Sequence, residues 1–100
     1  MIDKIDILGQ EFDVQEFTDE HDIDSNLYGM CVYATNEIKI RKELKPKQKG
    51  MVFLHEILHA IDYLQELRLK EREIQQLAVA LYPIIKSAEI FNDIGVDSIP

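Results

Sequence analysis

Cysteine occurs once, at Cys31, so the chain has no disulfide framework and no cysteine-based zinc knuckle. No apolar run reaches the ~18 residues that a membrane-spanning helix needs. The opening MIDKIDILGQ is charged and lacks a long apolar stretch, so it does not read as a signal peptide. Acids outnumber bases, 19 to 11. The net charge of −8 disfavours a nucleic-acid partner, because a phosphate backbone would be repelled. The local exception is Lys39, Arg41, Lys42, Lys45, Lys47 and Lys49, which read as a solvated connection ahead of a helix. The acids of the N-terminal part, from Asp3 to Asp24, never take the D-x-[DN]-x-[DN]-G order of a calcium loop and read as a solubilising surface. These absences lead to the expectation of a reduced, cytoplasmic protein without nucleic-acid or membrane partners.

What is present suits one globular domain over residues 1–100, with 46% apolar residues. In KIDILGQEFDVQEF (4–17), Ile5 and Ile7 alternate with Asp6, and Phe12 and Val14 alternate with Asp13. The pattern predicts two short strands around a turn at Gly9-Gln10. Residues 18–26 are polar, and His21 among them reads as a surface histidine. YGMCVYATNEIKI (28–40) predicts a second hairpin turning at Thr35-Asn36. Pro46 suits the first turn of a helix that carries Val52, Phe53, Leu54, Ile57, Leu58, Ile61, Leu64 and Leu67 at helical spacing. A second helical pattern runs from about Glu71 to Ala88, with Pro83 expected to kink or split it. The tail after Asn92 reads as irregular. Strands followed by helices indicate an α+β fold, without internal repeat or linker.

Histidine is also rare, yet two of the three fall in FLHEILHAIDY (53–63). Residues i and i+4 of a helix share a face one turn apart. Two imidazoles so placed reach one metal ion, and their nitrogens suit zinc at about 2.0–2.1 Å. Glu56 lies about 100° round the helix from His55. That is too far to join the same face as a ligand, but near enough to hydrogen-bond a water on the metal. The H-E-x-x-H pattern therefore assigns His55 and His59 as ligands and Glu56 as general base. Asp62 could orient an imidazole from behind or simply face solvent. Tyr63 could donate to a tetrahedral oxyanion or simply pack.

A catalytic zinc site needs a third protein ligand. The extended signature with glycine at 62 and histidine at 65 is excluded by Asp62 and Gln65. Glu71 and Glu73, in KEREIQQLAVALYP, are the remaining candidates. On an unbroken helix Glu73 would stand about 27 Å from His55, so the chain must turn back near residues 68–70, where no Gly or Pro marks a turn. Glu73 is favoured, because it falls one turn before Leu77 and Ala78, with Glu71 in reserve.

The second hairpin, HEILHAID and EREIQQLAVALYP together resemble the ImmA/IrrE-type zinc metallopeptidases, in particular the short forms of phages and mobile elements. The resemblance spans roughly residues 28–83. It aligns Glu73 with the glutamate ligand of the family's E-x-x-x-F-A-x-x-L-L-x-P pattern, with Leu77 where the family often has Phe. It implies a minimal zincin-like, gluzincin-type fold: a small antiparallel or mixed sheet packed on the H-E-x-x-H helix, with a ligand-bearing helix after it. It also implies zinc as cofactor and a protein or peptide substrate, such as the repressor of a mobile element, on a separate polypeptide. A hairpin edge, 37–40 or 31–34, could hold that substrate as an added strand. The competing expectation is a metal-binding regulatory module that contacts a regulator and cuts nothing.

Overall fold

A computed structural model describes residues 3–18 and 27–87. His21, the rest of the polar segment and the tail from Ala88 onward lie outside the described residues. The element order is β1 (Lys4–Ile7), β2 (Gln10–Phe17), β3 (Gly29–Val32), β4 (Glu37–Arg41), α1 (Pro46–Gln65) and α2 (Glu71–Lys86). The fold is α+β, with one four-stranded sheet in the order β1-β2-β4-β3.

β1 and β2 form a tight hairpin with Ile7 opposite Gln10, so the turn is Leu8-Gly9, one residue earlier than the spacing suggests. Both turn residues have positive φ, 53° and 84°, as a two-residue hairpin with the twist of its strands requires. The Asp6 carboxylate accepts the Gly9 N–H at 2.7 Å and holds the turn. β2 then pairs in parallel with β4, and β4 pairs antiparallel with β3, which makes the sheet mixed. Residues 37–40 are therefore an interior strand and offer no edge. The free edge on this side belongs to β3.

Alternation sets the faces of the sheet. Ile7, Phe12, Val14, Ile38 and Ile40 are buried against α1, while Asp6, Glu11, Asp13 and Gln15 stay on the open side. The basic stretch divides in the same way. Lys42, Lys45 and Lys47 are exposed, but Arg41 is buried, with its guanidinium 5.0 Å over the Phe17 ring and its Nε donating to the Leu27 carbonyl at 2.8 Å.

Helix α1 is apolar on two sides. With 3.6 residues per turn, Phe53, Ile57, Ala60 and Leu64 point to the sheet, and Leu54, Leu58 and Ile61 point to α2. Helix α2 returns antiparallel along α1, burying Ile74 and Ala78 against it and laying the Tyr82 ring beside Gly50. It continues through Pro83 to Lys86 without the expected split. Pro83 falls in the last turn, so only residues 84–86 of the helix lie beyond the one N–H···O bond that its ring removes. No helix among the described residues is long and apolar enough to cross a membrane.

The Leu8 backbone gives a direct check. A non-glycine residue in the left-handed region costs about 1–2 kcal/mol, and asparagine suffers least. Leu8 is 57% exposed, so replacing it sacrifices no core. Leu8→Asn is expected to stabilise by about 1 kcal/mol. A domain of this size should then melt about 4–8 °C higher. An unchanged or lower calorimetric midpoint would contradict the turn geometry.

Candidate metal centre

The third side of α1 carries His55 and His59, one turn apart. Their Nε2 atoms converge to 3.2 Å. Glu71, the first residue of α2, closes the group: its two carboxylate oxygens lie 2.6 Å from His55 Nε2 and 2.8 Å from His59 Nε2. Ligands at about 2.0–2.1 Å on the corners of a tetrahedron stand about 3.3 Å apart. The imidazole pair already has that spacing, and Glu71, exposed and on a flexible stem, need only draw back by about 0.5–0.7 Å to match it. Two imidazoles and one carboxylate also form the donor set of a zinc hydrolase with one position open. These three residues are the group that could hold a metal ion among the described residues.

Glu73, the favoured third ligand from the sequence, is placed elsewhere. Its Oε1 accepts the Lys70 N–H at 2.8 Å and caps the start of α2. The physical reason is angular. Residues two apart on a helix point about 200° away from each other, so Glu71 and Glu73 cannot both face α1. The third position of a helix is where a glutamate reaches back to the cap, and the first position is left for the histidines.

The unmarked turn between the helices is built without glycine or proline. Glu66 and Arg68 both adopt positive φ, 53° and 61°. Asp62 holds them in place: its backbone carbonyl accepts the Leu67 N–H at 3.1 Å, and its Oδ1 accepts the Leu69 N–H at 2.9 Å. Asp62 therefore meets the loop that delivers Glu71 and not an imidazole. Tyr63 is also away from the cleft, stacked on Tyr33 with ring centroids 4.1 Å apart. The Tyr33 hydroxyl donates to the His59 carbonyl at 3.2 Å, which ties the hairpin loop to the motif helix.

Glu56 points from α1 toward β3 and is buried, only 7% exposed. Gly29 makes this possible. A Cβ there would come within 2.5 Å of Val52 Cγ1 and 3.3 Å of Glu56 Cγ, so the strand approaches the helix more closely than any side chain permits. Burial pushes the Glu56 carboxyl up to about 7; the neighbouring His55 opposes this and the Glu71 charge adds to it. The result is a carboxyl poised for proton exchange near neutral pH. A cleft of about 480 Å³ opens over the group, walled by Leu27, Tyr28 and Gly29 on the strand side and by Met51 and Val52 of α1.

One neighbour is not evident from the motif. Gln75 lines the cleft, with its Oε1 2.8 Å from His55 Nδ1. The available signal is its place four residues after Glu71, on the same face of α2. Comparison of the chain with family models, with curated proteins and with solved structures finds no match.

Two outcomes follow from this arrangement. Asp62→Ala removes the acceptor of the Leu69 N–H and is expected to cost about 1–2 kcal/mol in urea denaturation. Asp62→Asn keeps an oxygen in place and should cost much less, and equal losses would contradict the capping role. Cys31 packs against the core beside Glu56, and burial pushes its thiol up to about 11. At pH 8 the folded protein should react with iodoacetamide on the order of a hundredfold more slowly than the urea-unfolded chain, because only the thiolate attacks.

Proposed function

We propose that this chain is a zinc-dependent metallopeptidase of the ImmA/IrrE type, acting in the cytoplasm on a regulatory protein such as the repressor of a phage or mobile element. The observation that carries the proposal is the convergence of His55, His59 and Glu71 at one point beside the buried carboxylate of Glu56. A spacing of four residues can arise by chance on any helix. A third ligand arriving from a different helix, with a base at the same cleft, makes a peptidase site the reading with most support.

His55, His59 and Glu71 would hold the ion. When bound, it supplies a Lewis acid that polarises the scissile carbonyl and acidifies water. The chain's own residues do the rest. Glu56 takes a proton from the attacking water and passes it to the leaving amine, so water adds across the peptide C–N bond and the carboxylate is regenerated. The free edge of β3 is suited to hold the substrate backbone. Arg41 N–H donates to the Tyr28 carbonyl at 2.9 Å, and such pairs alternate along an antiparallel ladder. The peptide groups of Met30 and Val32 thus turn to β4, and those of Gly29 and Cys31 face outward for an added strand. Leu27, Tyr28, Met51 and Val52 offer an apolar wall to one substrate side chain.

The test begins with elemental analysis of protein supplied with zinc, where one equivalent, removable by a chelator, is expected. Glu56→Gln should keep that equivalent and lower peptide cleavage by about 10²–10⁴-fold. A variant that still inactivates the repressor as fully as the wild type would replace the peptidase by a binding module that cuts nothing. Zinc content far below one equivalent would remove the metal from the reading altogether.

A further inference from the structure

Helix α2 meets His55 at both ring nitrogens. Nε2 faces Glu71 Oε1 at 2.6 Å and His59 Nε2 at 3.2 Å, and Nδ1 lies 2.8 Å from the side-chain oxygen of Gln75. An amide oxygen only accepts, so in a neutral imidazole this contact calls for the proton on Nδ1. An ion held where His59 and Glu71 converge would then take the lone pair of Nε2, whereas without one the Glu71 carboxylate at 2.6 Å draws a proton to that nitrogen. Were the Gln75 amide reversed, its NH₂ would donate to Nδ1 and force the proton onto Nε2, into the position that the metal must take. Four residues separate Glu71 from Gln75 on α2, as four separate His55 from His59 on α1, and the antiparallel packing sets one pair against the other. The turn of α2 that delivers a carboxylate thus also delivers the group that orients an imidazole.

We infer that Gln75 is a positioning residue of the metal centre, holding His55 as the Nδ1-protonated tautomer with Nε2 presented to the metal. The inference rests on the metal-site reading proposed above. An imidazole free to rotate would spend part of its time with no lone pair toward the ion. Partners of the outer ring nitrogen typically govern metal affinity by 10–100-fold. Gln75 serves without adding charge. A carboxylate in its place would keep the acceptor, bring a further negative charge toward the ion and bind it more tightly.

The experiment uses the full chain. Nitrogen-15 NMR of the zinc-loaded protein should show the His55 Nδ1–H protected from exchange with water in the wild type and the protection lost in Gln75→Leu. Competition against a chromophoric chelator should show zinc bound about 10–100-fold more weakly by Gln75→Leu, and at least as tightly as wild type by Gln75→Glu. Gln75 is exposed, so the metal-free melting midpoints of both variants should stay near that of the wild type, and rescue by Gln75→Glu separates positioning from a fold defect. A His55 that binds zinc through Nδ1, or a Gln75→Leu protein with unchanged Nδ1–H protection and zinc affinity, would overturn the role while leaving the metal centre standing. A wild type that binds no zinc would overturn both.

Discussion

Everything at the candidate site depends on the need to cover α1 on two sides. The sheet covers Phe53, Ile57, Ala60 and Leu64, but Leu54 and Leu58 would remain in water without α2. Burying each such side chain is worth about 1.5–3 kcal/mol, so the second helix is drawn back along the first. That return brings Glu71 and Gln75 to the histidines. The polar site is thus assembled by an apolar contact one helix face away, and its geometry is only as firm as that contact.

The return has a local cost that the loop meets with side chains. Two non-glycine residues, Glu66 and Arg68, sit in the left-handed region. Asp62 offsets this by accepting backbone N–H groups on both its main chain and its carboxylate. The acid that follows the motif by three residues therefore acts on the path of the chain. Its effect on the His55, His59 and Glu71 group is indirect, through the position at which α2 begins.

Strand β3 makes the complementary contribution. Because Gly29 has no side chain, the strand lies close against Val52 and Glu56, and Glu56 is largely withdrawn from solvent while still lining the cleft. Desolvation dominates its electrostatics, ahead of the opposing effects of His55 and Glu71. The same approach leaves the outer edge of β3 beside the cleft, where a backbone can pair with it. One glycine thereby links the burial of Glu56 to the free edge of the sheet.

Much of this was legible in local spacing. The i, i+4 histidines with Glu56 between them, the helical span after Pro46, and the alternation in Phe12-Val14 and Ile38-Ile40 are properties of a few neighbouring residues. Helix and strand periodicity convert them directly into faces. The choice of Glu71 over Glu73 was not legible, because both lie in one turn of α2 and the outcome depends on which of them faces α1. Nor was the place of β4 inside the sheet, since its parallel pairing with β2 joins residues far apart in sequence. The sequence by itself determined the α+β class and the placing of His55, Glu56 and His59 together on one helix. The tertiary structure alone decided that Glu71 joins the histidines, that Gln75 meets His55 and that β3 keeps the free edge, because each arises where two elements with no sequence relation are pressed together by the burial of their apolar sides.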